Sequence, residues 1–256
     1  MLLQIRNLLV ISGLLLAVGT ALAGEVPIGE IRSSTTLVAL LGAESAANFE
    51  NVVEPDEIIE WELYVPANYD PDSPAGLMVY VSPMDSGAIP ARWKSVMDAN
   101  NLIWIGANSS GNRVRVARRV SYALFAPAVA AGDYEIDESR VYVSGFSGGG
   151  RVASMVAPEY SRIFRGAIYI CGVDFWGNRK PDQIEEVRAN RYVFVTGRKD
   201  FNRDETRNVH RKYRKAGLNN LLLMDIRGMD HTIPSAEKFA EAIAFLDNEV
   251  TPPDSE

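Results

Sequence analysis

One stretch of the sequence joins a predicted strand to a predicted helix through a short turn with a serine at its centre. The run 141–143 is β-branched and aromatic, which favours a strand, and the small and apolar residues 151–157 favour a helix lying close to a sheet. In the turn between them, Gly145 and Gly149 stand two residues to either side of Ser147. Because so tight a turn has no room for bulky side chains there, the pattern is typical of a nucleophile elbow, which holds a serine hydroxyl clear of the backbone.

The N-terminal residues 1–23 predict an export signal rather than a part of the fold. Arg6 supplies a positive charge, residues 8–18 are apolar, and residues 21–23 form a small-x-small cleavage site before Gly24. A bilayer span requires about 20 apolar residues, and this apolar run is shorter. An uncleaved N-terminal anchor is the alternative. We therefore expect an exported protein, periplasmic or secreted, with no membrane association after cleavage.

Composition limits what residues 24–256 can do. Their length suits one α/β domain, and no repeat or linker divides them. The net charge of the full sequence, −7, argues against a nucleic-acid partner, which would favour a basic face. Cys171 is the single cysteine, so no internal disulfide can form, and the two histidines, His210 and His231, do not provide the ligand spacing of a zinc site. We expect no metal and no cofactor, and the sequence predicts no particular oligomeric state.

Predicted strands alternate with predicted helices along the chain. The runs 77–81 and 102–107 are apolar throughout, as expected for central strands covered on both faces. The spacings suit right-handed crossovers, so we expect an α/β protein with a mostly parallel central sheet and helices on both faces. Residues 35–41 fit either a strand or the start of a helix. Further predicted strands are 58–65, 164–171, 192–196 and 221–226; predicted helices are 91–101, 113–131, 183–188, 205–216 and a last one capped by Ser235.

Three chemically active side chains, Ser147, Asp200 and His231, each follow a predicted strand. Sites of open parallel sheets form at the carboxyl ends of the strands. A serine hydroxyl needs an adjacent base to take its proton, and His231 suits that task because imidazole titrates near neutrality. Asp200 would orient the imidazole and offset the charge that it gains. The three residues are therefore predicted to form a catalytic triad.

Other residues compete for these roles. His210 lies in a predicted helix beside Arg207 and Arg211, which indicates a solvated face and makes it the weaker candidate for the base. Asp174 follows the preceding strand and is the alternative acid. Cys171 lies in or at the end of a strand, which favours a small core residue over a nucleophile.

Acyl transfer also needs hydrogen-bond donors aimed at the oxyanion of its intermediate. The N–H of Gly148, directly after the serine, is the first predicted donor. A second is expected from the loop after residues 77–81. Since Pro83 has no N–H, Met84 is the predicted donor and Asp85 the alternative.

Taken together, these motifs resemble the α/β-hydrolase fold over essentially all of residues 24–256. Residues 62–69 lead into the strand 77–81, and the elbow follows. Gly-Arg-Lys then precedes Asp200, and Gly-Met-Asp precedes His231. This is the order in which that fold places these features. It is most similar to exported esterases of the polyhydroxybutyrate depolymerase and feruloyl esterase type. Those proteins usually carry His-Gly where this chain has Ser-Pro at 82–83, and they often contain disulfides.

The resemblance implies a serine hydrolase that cleaves carboxylic esters, from small molecules or polymers, through an acyl-enzyme. A peptidase or amidase of the oligopeptidase branch and a non-catalytic binding protein with this fold are the alternatives. Two further sets of residues could contact a substrate, although packing or turn formation would explain them equally well. They are the aromatic residues Trp93, Phe175 and Trp176, and the loop residues Asn108, Asn112 and Asn202.

Overall fold

The computed structural model of the protein describes residues 26–176 and 180–247. The predicted export signal lies outside these residues. In the described part, eight strands form one sheet with the order β1-β2-β4-β3-β5-β6-β7-β8. Each helix within those ranges is too short or too polar to span a bilayer.

The sheet is mostly parallel, as the alternation of strands and helices predicts. β2 pairs antiparallel with β1 and β4, and all other neighbours are parallel. The strands are β1 Gly29–Thr35, β2 Ile59–Val65, β3 Ala75–Val81, β4 Leu102–Ala107, β5 Ile136–Phe146, β6 Gly166–Ile170, β7 Arg191–Gly197 and β8 Leu221–Ile226.

Helices cover both faces of this sheet. They are α1 Leu37–Leu41, α2 Ala43–Ala47, α3 Lys94–Ala99 (preceded by a 3₁₀ turn, Ala91–Trp93), α4 Val116–Ala131, α5 Gly148–Glu159, α6 Ile184–Ala189, α7 Arg203–Lys215 and α8 Ala236–Leu246. Helices α4, α5 and α7 pack on one face, whereas α3 and α8 pack on the other.

The two faces have separate hydrophobic cores because side chains alternate along each strand. In β3, Leu77, Val79 and Val81 point into the core under α4 and α5, while Met78 and Tyr80 point into the core under α3 and α8. All five are buried. The continuous apolar run thus predicts β3 correctly, since both of its faces are covered.

The structure settles the ambiguous segment at residues 35–41. Thr35 ends β1, and the side chain of Thr36 caps α1 by accepting a hydrogen bond from the Ala39 N–H at 3.1 Å. Strand β1 was not expected from the sequence, because it is an edge strand whose residues are exposed or only partly buried. The cap predicted at Ser235 is confirmed, since its side chain accepts from the Lys238 N–H.

The parallel strands bring the predicted site residues to one edge of the sheet. Ser147 follows β5, Asp200 follows β7 and His231 follows β8, all beyond the carboxyl ends. The loops after β3 and β4 emerge at the same edge, because both strands run parallel to β5. The topology therefore brings the loops after β3, β4, β7 and β8 to the edge where Ser147 lies.

Candidate active site

Ser147 lies at a sharp turn between β5 and α5. Its backbone angles, φ 53° and ψ −119°, are rare for a residue with a side chain. The Ser147 N–H donates to the carbonyl oxygen of Ile170 at 2.8 Å, which ties the turn to β6. A Cβ at Gly149 would stand 1.8 Å from the carbonyl oxygen of Val81, and one at Gly145 would stand 2.4 Å from the carbonyl carbon of Gly149. The glycines are therefore needed for close approach of three backbone segments.

Ser147, His231 and Asp200 form a continuous chain of hydrogen bonds. His231 Nε2 lies 2.9 Å from Ser147 Oγ, and His231 Nδ1 lies 2.7 Å from Asp200 Oδ1. An ionised carboxylate only accepts hydrogen bonds, so Nδ1 carries the proton toward Asp200. Nε2 is then free to accept the serine proton, which is the arrangement that general-base activation of a hydroxyl requires.

Asp200 is held ionised although its carboxylate is buried. Burial alone would raise the pKa of this carboxyl, but hydrogen bonds from Asn202, His231, Thr196 and Cys171 lower the pKa below its ordinary value. The Thr196 hydroxyl donates at 2.8 Å and the Asn202 N–H at 3.0 Å. The charge that orients His231 is thus stabilised by donors at the end of β7 and in the loop after it.

The alternative acid does not reach the histidine. Asp174 accepts a hydrogen bond from Arg151 at 2.7 Å, and Arg151 also pairs with Glu205 on α7. Asp174 is therefore paired with Arg151 of α5. Of the two candidate carboxylates, only that of Asp200 contacts His231.

The alternative base lies in α7 and is less exposed than the sequence predicts. The ring of His210 packs edge-on against Phe194, with 5.2 Å between the ring centroids. Burial lowers the pKa of His210 to about 4, and Arg214, Arg211 and Arg207 contribute to this lowering. The ring is therefore half-buried on a face whose next residues, Arg211 and Lys212, are exposed, and His210 does not contact the serine.

His210 should make the stability of the fold depend on pH. Its pKa is about 4 in the folded protein, below the ordinary value of 6.5, so between these values the unfolded chain binds more protons. The free energy of unfolding should therefore fall as the pH drops from 6.5 toward 4. Because the ring is partly exposed, we expect about 1–2 kcal/mol from this group. Urea unfolding at pH 7.5 and pH 4.5 should show a smaller loss for His210→Gln than for the wild type; equal losses would contradict the prediction.

The predicted oxyanion donors differ in whether their N–H groups already donate a hydrogen bond. Gly148 is the first residue of α5, where backbone N–H groups have no partner within the helix. The Met84 N–H donates instead to Ser82 Oγ at 3.1 Å, in a turn of its own loop. To reach an oxyanion, it would have to turn away from that hydroxyl. Its role as second donor stays a prediction, as does that of Asp85.

A buried arginine fixes the two loops beside the elbow. Arg119 on α4 donates from Nε to the Ser110 carbonyl oxygen at 2.8 Å and from a terminal nitrogen to the Ser82 carbonyl oxygen at 2.9 Å. Desolvation on burial lowers the pKa of Arg119. This cation joins the loop after β3 to the loop after β4, so both loops keep one position relative to Ser147.

The aromatic residues predicted at a substrate pocket are packed into the protein. Trp93 is wholly buried, its ring stacks on Phe239 at 3.9 Å, and its Nε1–H donates to the Pro234 carbonyl oxygen. The prediction of a substrate contact for Trp93 was therefore wrong, because no face of the ring is open. Phe175 and Trp176, in the loop after β6, are half-buried against Tyr213 of α7, and neither ring contacts Ser147, Asp200 or His231.

The side chains of two of the three loop asparagines form hydrogen bonds that hold neighbouring segments of the protein together. Asn108 accepts from the Gly87 N–H and donates to Glu62, and Asn202 donates to the carbonyl oxygen of Cys171. Asn112 differs, since its carboxamide lies against Gly148 at the elbow.

Sequence reasoning missed an aromatic residue on the imidazole of His231. Phe201, 78% exposed, stacks on the His231 ring with 4.0 Å between centroids and 23° between planes. Phe146 lies on the ring as well, at 5.0 Å. The signal was an aromatic residue directly after Asp200 in an otherwise polar loop. These contacts favour one orientation of the imidazole and leave an open apolar surface next to it.

Cys171 lies beside the triad but is poorly suited to bind a metal. Its thiol, the Asp200 carboxylate and His231 offer ligand atoms within 4.8 Å of one another. Burial raises the pKa of the Cys171 thiol far above its ordinary value, and Sγ lies 3.4 Å from the Thr232 carbonyl oxygen. Metals bind the thiolate, which this environment disfavours, and Asp200 and His231 already bind each other.

No family model matches this sequence, and no curated protein sequence is similar to it. Solved structures are similar in fold. A ferulic acid esterase has a TM-score of 0.58 at 14% identity, over 84% of this chain and 96% of its own. An arylesterase has a TM-score of 0.61 at 14% identity, over 87% and 85%. An S-formylglutathione hydrolase from Staphylococcus aureus has a TM-score of 0.56 at 13% identity, over 86% and 96%. The chain therefore has the α/β-hydrolase fold, and the solved structures that it resembles include several esterases.

Proposed function

We propose that this protein is a serine hydrolase that cleaves carboxylic esters through an acyl-enzyme intermediate. The observation that carries the proposal is the hydrogen-bonded series Ser147 Oγ, His231 Nε2, His231 Nδ1 and Asp200 Oδ1, with distances of 2.9 and 2.7 Å. A binding protein would need no such series. The esterases among the structures of similar fold support the choice of esters over other acyl compounds.

The first half of the reaction transfers the acyl group to the serine. His231 Nε2 takes the Oγ proton as Oγ attacks the ester carbonyl carbon, and the carbonyl electrons move onto its oxygen. We expect the N–H of Gly148 to donate to that oxyanion. When the intermediate collapses, the bond to the alcohol oxygen breaks and His231 gives its proton to the leaving alcohol.

The second half frees the serine. A water molecule attacks the acyl carbon while His231 removes one of its protons, and the second tetrahedral intermediate expels Ser147 Oγ, which recovers the proton. The products are a carboxylic acid and an alcohol. Asp200 stays ionised throughout and stabilises the imidazolium of each step.

A covalent probe and a substrate panel test this proposal. A fluorophosphonate should label Ser147 in the folded protein, and p-nitrophenyl esters should be hydrolysed with higher kcat/KM than aminoacyl p-nitroanilides. Preference for the anilides would favour a peptidase or amidase. Absence of both labelling and turnover would favour a non-catalytic binding protein. Acyl esters that vary in chain length and aromatic character would then define the substrate among small-molecule and polymer-derived esters.

We also propose that the protein is exported to the periplasm or secreted, as a single domain that begins after Ala23. The support is the charged, apolar and small-residue pattern of residues 1–23. When the full chain is expressed in a host with a signal peptidase, N-terminal sequencing of the exported protein should begin at Gly24. Ala23→Arg, which places a large charged residue at the cleavage position, should block processing. A wild-type chain that keeps Met1 and stays with the membrane fraction would contradict the prediction.

A further inference from the structure

The carboxamide of Asn112 occupies space directly over the residue after the nucleophile. A Cβ on Gly148 would meet Asn112 Oδ1 at 2.1 Å and Nδ2 at 3.1 Å. The glycine therefore leaves a gap, and the Asn112 side chain fills it. No hydrogen bond of this carboxamide is seen among the described residues, although the other two loop asparagines use theirs.

The backbone of Asn112 is held firmly in this position. Its N–H donates to the Pro83 carbonyl oxygen at 3.0 Å, which joins it to the loop after β3. Arg119 donates to a carbonyl oxygen of the loop after β3 and to one of the loop after β4. The carboxamide is thus carried on a backbone that hydrogen bonds hold in place, so only its own side-chain torsions must adjust to aim the NH₂ group at an oxyanion.

The oxyanion of acyl transfer lacks a clear second donor in this structure. The Gly148 N–H is one donor, but the Met84 N–H already donates to Ser82 Oγ. A tetrahedral intermediate on Ser147 needs a second donor beside the Gly148 N–H, and the Asn112 carboxamide lies against the α-carbon side of that same residue.

We propose that Asn112 is a catalytic residue whose side-chain NH₂ donates to the oxyanion together with the Gly148 N–H. The inference rests on the proposed ester hydrolysis and adds a residue to it. The amide oxygen and nitrogen exchange places by rotation about one bond, and the nitrogen turns toward the oxygen that gains negative charge. A neutral amide stabilises the oxyanion by donating a hydrogen bond and transfers no proton in doing so. The close contact also explains why residue 148 is a glycine.

Single substitutions test the donor. Asn112→Ala and Asn112→Asp should each lower kcat by about 10²–10³-fold, the usual effect of removing one oxyanion donor, and should change KM by less than about threefold. An aryl trifluoromethyl ketone, which forms a tetrahedral adduct with the serine, should bind more weakly by a similar factor. Asn208→Ala, at an exposed asparagine of α7, is the matched control and should match the wild type in all three quantities.

A double-variant cycle separates this role from general damage to the loop. In Gly148→Ala the backbone N–H remains, but the new methyl group displaces the Asn112 carboxamide, so kcat should fall about as far as in Asn112→Ala. The double variant should then be no slower than either single variant, within about threefold. Thermal unfolding monitored by circular dichroism should show that all variants fold.

The outcomes are distinct. If the wild type hydrolyses esters and Asn112→Ala keeps kcat within about threefold, or if the two substitutions multiply in the cycle, the inference is overturned while the proposed function stands. Fluorophosphonate labelling of Ser147 without any wild-type ester turnover would contradict both.

Discussion

Ester hydrolysis by the folded protein should fall by about 10⁶-fold in kcat when Ser147 is replaced with Ala, and by a similar factor in His231→Gln. We expect the two groups to act as one unit, since in the proposed reaction Oγ attacks only as Nε2, which lies 2.9 Å away, takes its proton. Either loss therefore removes the whole nucleophile, and the double variant should be no slower than the single ones. Steady-state kinetics with a p-nitrophenyl ester measures these effects, and fluorophosphonate labelling should disappear in Ser147→Ala.

The second histidine is the matched control for this prediction. His210→Gln should keep kcat within about twofold at pH 7.5, because the ring packs on Phe194 and does not contact Ser147. If His210→Gln were inactive and His231→Gln active, the base would be misassigned. Labelling that persists in Ser147→Ala would place the nucleophile at another residue.

The largest effect on stability is expected at the elbow glycine, Gly149. A Cβ there would stand 1.8 Å from the carbonyl oxygen of Val81, which is backbone of a central strand and has little freedom to move. Gly149→Ala should therefore lower the free energy of unfolding by at least about 3 kcal/mol, the upper end of usual overpacking costs. At about 2–4 °C per kcal/mol for a chain of this size, the Tm should fall by about 6–12 °C. Differential scanning calorimetry measures that shift.

Gly132→Ala provides the comparison for a glycine without such a contact. Its φ is −67°, at the end of α4, and the nearest atom to an added Cβ is 3.4 Å away. The Tm of this variant should change by less than about 2 °C. Equal effects of the two substitutions would show that the approach of α5 to β3 is not what requires glycine at residue 149.

Much of the fold could be predicted because it depends on local patterns. The apolar runs at 77–81 and 102–107 predict β3 and β4, since a strand covered on both faces needs no polar residues. The cap at Ser235 predicts the start of α8 for an equally local reason. β1 gave no such signal, because an edge strand with exposed residues alternates weakly and is stabilised by pairing with β2.

The candidate site was predictable to the extent that its residues follow strands. Ser147, Asp200 and His231 each come after a strand of a parallel sheet, and topology requires such positions to meet at one edge. Trp93 shows the limit of that reasoning. It too lies after a strand and a loop, but its large apolar ring is stabilised by burial against Phe239, and only the packing of α8 reveals this.

The sequence by itself determined the alternation of strands and helices, the glycine-flanked serine and the choice of histidine, because periodicity, turn geometry and residue chemistry are local properties. Only the tertiary structure decided that Asp200 and not Asp174 contacts His231, that Phe201 stacks on that imidazole, and that Asn112 lies against Gly148. These are contacts between loops distant in the chain. Their distances depend on how neighbouring strands and helices pack, which no local pattern specifies. The elbow could thus be recognised from a few residues, whereas the contact of Asp200 with His231, the stacking of Phe201 and the proposed second oxyanion donor needed the assembled sheet.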